Sequence, residues 1–255
     1  MTWRRLTMTL ATVALLVTTA PAGHGVATMT VGADAGRGPV STATGGDAAP
    51  ASPSRHVQPA TGRALLRAQT WRLRGAVRRL VVGRERRAGY DRDLFGGDWI
   101  DADGDCRDTR DEVLAQESRE RVATGCDVAS GLWRSYYDGA LWRNSADLDI
   151  DHVVALAEAW DSGARGWSGR TRVRYANDLA DRRTLVAVTD NVNQSKGDQD
   201  PAEWLPERQV CRYVAQHVAV KLRWSLRVDR PERRTLRALS AGCPNRRITV
   251  TRART

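Results

Sequence analysis

The residues best equipped for chemistry in this 255-residue chain are 149–156, DIDHVVAL, followed by Asn193 and Lys196 in NVNQSKGD. An acidic side chain joined directly to a histidine, with an amide further along the chain, suits the hydrolysis of a phosphodiester. That reaction needs an activated water, relief of charge on the phosphoryl oxygens and stabilisation of the departing oxygen. A neutral imidazole can take the proton from water, and one divalent cation can do the rest. His152 is read as the base, with Asp151 and Asn193 as metal ligands. Oxygen donors from a carboxylate and an amide suit a hard ion, Mg²⁺ or Mn²⁺, which keeps several of its own waters. Lys196 is read as a point charge toward phosphate.

The histidine inventory supports this assignment. His24 and His56 lie near the N-terminus, and His217 sits in a helical stretch without an acidic or amide neighbour at helical spacing, so it reads as structural. A buried core histidine is the alternative for His152, opposed by the carboxylates around it and by the later Asn193. Neighbours on a straight strand point to opposite faces, so Asp151 and His152 can serve one site only if the strand ends, bulges or bends there.

The elements that must hold these residues are legible in outline. Leu148, Ile150, His152 and Val154 alternate with Asp147, Asp149 and Asp151, a strand signature. Before it, GLWRSYYDGALWRN alternates aromatic and polar residues around Asp138-Gly139 and predicts a hairpin. Residues 155–164 and 172–179 read as helices, 184–189 (TLVAVT) as a second strand, and Asp190 as the cap of a helical turn carrying Asn193 and Lys196. Strand, excursion, strand and short helix make a ββα unit over about 147–200. Residues 65–87 show a helical pattern with a basic face, which either meets an anionic partner or is merely solvated. Beyond Pro201 the stripe Cys211, Val214, Ala215, Val218, Leu222 predicts a helix, and Pro231 opens a last one ending near Gly242.

Asp101, Asp103, Asp105 and Glu112 stand at positions 1, 3, 5 and 12 of a calcium loop, but Cys106 occupies the place where such a loop wants glycine. Either Ca²⁺ binds there or the segment is an acidic loop closed by a disulfide. The four cysteines, Cys106, Cys126, Cys211 and Cys243, suggest two disulfides in an exported chain. Three pairings are open; proximity favours Cys106 with Cys126 and Cys211 with Cys243. No CxxC spacing exists, which argues against structural zinc.

Residues 1–22 read as an export signal: Arg4 and Arg5, an apolar run too short for an ordinary membrane span, then Ala-Pro-Ala. Residues 23–60, rich in Gly, Ala, Ser, Thr and Pro, read as a disordered tether, and 61–255 as one domain. Secretion is expected, or surface tethering if the signal is retained, with no stable membrane span after cleavage and a monomeric state. The net charge of +10 and pI near 10.3 favour a polyanionic partner. Nearly all the cations are arginine, as a GC-rich genome would also give, so charge supports this reading without establishing it.

DIDHVVALAEAWDSGA, YANDL and NQSKGDQDPAEWLP resemble the HNH endonuclease superfamily, in particular secreted bacterial HNH proteins similar to the nuclease part of modification-dependent restriction enzymes. The resemblance runs from about Gly89 to Cys243. It implies an α+β fold with a ββα-metal (His-Me finger) core embedded in additional helices. His152 would be general base, with Asp151 and Asn193 at one divalent ion, and the substrate DNA, or RNA as well. Asn177 in YANDL would orient the loop around the base. Thr184 departs from the pattern, since relatives tend to show Asn there; either activity is weakened or the loop-fixing task falls to Asn177. The alternative is a catalytically silent basic domain binding DNA or cell-wall polyanions. No Ser-His-Asp, Cys-His or HExxH arrangement supports another hydrolase.

Overall fold

The computed structural model describes residues 67–254; the expected signal and tether lie outside the described residues. Its architecture is α+β, with three separate two-stranded antiparallel sheets set among helices. β1 (Gln69–Arg72) pairs with β6 (Arg247–Val250), and α1 (Leu73–Arg79) follows at once. The helical pattern expected over 65–87 is therefore realised only in part. Its described beginning is drawn into the β6 pairing, and beyond Arg79 the chain runs extended, Gly83 N–H donating to the Val228 carbonyl. Arg74, Arg78 and Arg79 face solvent while Leu73, Ala76 and Val77 are buried. The strand RITV of β6 was not anticipated; four residues carry too little period to announce themselves.

α6 (Val210–Arg223) and α7 (Arg230–Gly242) pack on α1 and the β1–β6 pair, enclosing Leu80, Val214, Val218, Leu222, Leu236 and Ile248. Asp229 caps α7 by accepting from Glu232 N–H, with Pro231 in the first turn where its missing N–H costs nothing. Cys211 and Cys243 are joined, fastening the start of α6 to the end of α7.

The predicted hairpin forms from β2 (Ser130–Arg134) and β3 (Leu141–Asn144), with Gly139 at φ +85° in its turn. α2 (Thr109–Glu117), capped by Asp108, covers it with Val113 and Leu114 against Trp133. Cys106 and Cys126 form the second disulfide beside α2.

β4 (Leu148–His152) and β5 (Leu185–Thr189) pair with an unbroken register, Asp151 opposite Val186 and His152 opposite Leu185. β5 is buried along its whole length, which explains its uninterrupted apolar run. Between them lie α3 (Leu156–Asp161) and α4 (Gly169–Ala176), closing an aromatic cluster of Phe95, Trp160, Tyr175 and Trp224. α5 (Asp190–Lys196) leaves β5 directly and packs on both strands; Thr189, the last residue of β5, takes the cap position expected for Asp190, which is the first helical residue instead.

Candidate active site

β4 ends at His152, and side chains leave its last turn of pleat in opposite directions. Ile150 and His152 face one layer. The imidazole is 6% exposed, lies nearly parallel to Trp99 with ring centroids 5.4 Å apart, and is flanked by Tyr175 at 6.1 Å. Its Nε2 is 2.8 Å from the Ala176 carbonyl oxygen. A carbonyl only accepts, so Nε2 carries the proton and Nδ1 keeps its lone pair. Burial between aromatic rings pushes the pKa of His152 down to about 3, outweighing the opposing bond to Ala176. The ring is neutral throughout the physiological range.

Asp149 and Asp151 face the other layer. Tyr137 Oη donates to Asp151 Oδ2 at 2.5 Å, and Lys196 Nζ donates to Asp151 Oδ1 at 2.8 Å. Lys196 also donates to the His152 carbonyl at 3.0 Å and is fully buried, so its charge is directed at Asp151 and the strand end, away from solvent where a phosphate would arrive. Burial raises the Asp151 pKa, and Lys196 opposes that rise. Asn193, one turn before Lys196 on α5, donates through Nδ2 to Asp149 Oδ2 at 3.1 Å. That bond holds the amide in one orientation.

A cavity of about 220 Å³ has Asp151, His152 and Asn193 in its wall, together with Tyr90, Arg92 and Asp198. The strand therefore needs no bulge to bring the three residues together; its termination is enough. Each Asp151 oxygen accepts one bond and can accept another, and the Asn193 side-chain oxygen has none. This oxygen set fits a hard divalent ion that retains most of its waters. Arg92, exposed at the same wall, has no carboxylate partner among the described residues.

Asn177 accepts from Ile100 N–H at 3.2 Å and donates to the Val173 carbonyl at 3.0 Å. It thus ties the segment after Trp99 to the end of α4, whose Ala176 carbonyl holds the imidazole. Thr184 gives its carbonyl to Val153 N–H at 3.0 Å and its hydroxyl to Asp178, so the backbone just past His152 is held by a main-chain bond that no side chain need supply. His217 is buried, with Nε2 2.6 Å from Glu232, a partner too distant in sequence to show in local spacing. Asp101, Asp103 and Asp105 gather within 4.8 Å, without Glu112. Cys106 adopts φ +77°, the conformation for which such a loop uses glycine. Trp99, Tyr137, Asp149 and Arg92 were not singled out from sequence. Asp149 had a signal, two residues before Asp151 and hence on the same face; the others reach the site from distant segments.

The depressed pKa of His152 has a stability consequence. The folded state resists protonation that the unfolded chain accepts near pH 6.5, so His152 contributes stability above that value and the contribution is lost as pH falls toward about 3. Urea denaturation between pH 7 and 4 is expected to show the wild type losing up to about 1.4 kcal/mol per pH unit more than a His152→Gln variant. Equal slopes would show that the ring protonates freely in the fold.

Residues 107–239, more than half of the chain, match the family described as GmrSD restriction endonucleases, C-terminal domain. An "Uncharacterized secreted protein" of Arthroderma benhamiae is 44% identical over 158 residues, spanning 61% of this chain and 76% of its own. No solved structure matches. The matched residues include the whole of β4, β5 and α5, and the chain belongs to the family of the GmrSD restriction endonuclease C-terminal domain.

Proposed function

We propose that this protein is a secreted endonuclease of the HNH type that hydrolyses the phosphodiester bonds of DNA, with β4, β5 and α5 as its ββα core. The observation that carries this reading is a neutral, rigidly held imidazole with Nδ1 unpartnered, in the wall of one cavity with the oxygens of Asp151 and Asn193. The family's description as restriction endonucleases supports the substrate class, and the relative's description as secreted agrees with the signal-like leader.

His152 Nδ1 accepts a proton from the attacking water, while Ala176 and the Trp99 stack keep the ring from turning. A base with so low a pKa is weak by itself; the negative charge of a bound phosphate raises its basicity when the substrate enters. Asp151 and Asn193 would hold one Mg²⁺ or Mn²⁺, which supplies charge relief on the phosphoryl and leaving oxygens. Lys196 and Tyr137 fix the Asp151 carboxylate, and Asp149 fixes the Asn193 amide. Arg92, rather than Lys196, is the cation placed to meet phosphate.

The test is conversion of supercoiled plasmid with Mg²⁺ or Mn²⁺, with and without EDTA. Nicking that stops on chelation and returns with added metal is expected. Undiminished cutting in EDTA would overturn the metal assignment, and retardation of DNA without cutting under any metal would identify a binding module instead.

A further inference from the structure

Three adjoining cavities, of about 540, 400 and 320 Å³, run past the β2–β3 hairpin, the loop before β5 and the first turns of α6. Arg212 lines all three, and Arg119 and Arg134 line two, so they form one continuous cleft. Arg182, Arg208, Arg246 and Arg247 complete a set of seven exposed arginines along it. None of the seven pairs with a carboxylate among the described residues, whereas the half-buried Arg183, which also lines the cleft, pairs with Asp181, and Arg87, Arg143 and Arg223 elsewhere are paired too. The one carboxylate lining the cleft, Glu117, turns an oxygen inward to the Ala187 N–H.

Like charges gathered in a concave surface repel one another unless an anion lies between them, so convergence without counter-charges is informative where a scattered surface charge is not. The cleft is also partly preorganised. The Arg212 guanidinium lies 4.0 Å over the Tyr136 ring, and Tyr136 Oη is fixed by donating to Gln216 at 2.6 Å. The cleft shares no lining residue with the His152 cavity. Between them stands the Tyr136–Tyr137 pair, in edge contact at 4.7 Å, Tyr136 facing the cleft and Tyr137 bonded to Asp151.

The geometry points to a second polyanion site: the arginine cleft holds the phosphate backbone of a nucleic acid outside the reacting cavity, as an anchoring groove for long substrates. This inference rests on the nuclease reading for the identity of the polyanion, but not for the site itself. Backbone contacts of this kind carry affinity without sequence preference, and each neutralised phosphate releases counterions.

The experiment measures binding of a long fluorescent DNA duplex in EDTA, across a range of salt, for the wild type and for Arg119→Gln/Arg134→Gln/Arg212→Gln. All three positions are exposed, and a triple Arg→Lys variant serves as the charge-preserving control. The expected result is a salt slope shallower by about 2.7, that is about 0.9 for each of three lost contacts, with the lysine variant close to wild type. Hydrolysis of a small chromogenic phosphodiester, too short to reach the cleft, is expected to be unchanged. Unaltered slope and affinity in the glutamine variant would overturn the proposal. A wild type that shows the cleft-dependent slope but never cuts would leave the anchoring groove standing and remove the nuclease reading; cutting with cleft-independent binding would do the reverse.

Discussion

Replacing His152 with alanine is expected to slow plasmid cleavage about a thousandfold, in the middle of the range that a positioned general base supplies. The alternatives are poorly placed: His217 is sealed in the core with its Nε2 against Glu232, Asp151 has Tyr137 and Lys196 on its oxygens, and Asp198, in the same cavity wall, is paired with Arg87. Truncating a buried ring also removes packing against Trp99 and Tyr175, so His152→Gln is the companion variant. Both should lose cutting, while binding to DNA in EDTA persists. Rates within tenfold of wild type, measured under saturating metal on protein shown by its melting transition to be folded, would remove His152 from the mechanism.

The largest stability effect is expected at Lys221. This side chain is fully buried, and its three N–H groups are shared among Glu158, Ser162 Oγ at 2.7 Å, the Arg227 carbonyl at 2.9 Å and Glu232 at 3.0 Å. Burial pulls its pKa down, but the two carboxylates win and raise it, so it stays charged. Lys221→Met leaves two buried carboxylates without their cation, and the loss from breaking such a pair is about 3–5 kcal/mol. Urea denaturation at pH 7 checks this, and a loss below about 1 kcal/mol would show that the carboxylates simply take up protons. The cluster joins α3, α6 and α7, and α3 begins four residues after His152. A loosened cluster should therefore also disturb the short segment between His152 and α3.

How much of this was legible beforehand follows from the range over which sequence patterns act. The alternation in DIDHVVAL gave β4, and TLVAVT gave β5, because a strand's period is local. Asp190 to Lys196 gave α5 for the same reason. Cysteine proximity gave both disulfides. Partners across the fold were not legible. Nothing near Lys196 says that it will be sealed beneath Asp151, and nothing near Tyr137 says that it will reach the same carboxylate fourteen positions on. Trp99 comes from an acidic loop whose own pattern suggested calcium or closure by a disulfide, and not a partner for His152. Where a helix was expected to start near residue 65, the competing pull of β6 lies at the far end of the chain.

β4 works as a partition wall. On one side Ala176, Trp99 and Tyr175 hold the His152 imidazole; on the other Tyr137 and Lys196 hold the Asp151 carboxylate, and Asp149 the Asn193 amide. The two sets of supports are separate, and the groups they hold meet only at the strand end and in the cavity that it borders. On the proposed reading, a substitution on the aromatic side takes away the proton acceptor and leaves the oxygen set where it was, so the scaffold can pass from blade to clamp without refolding.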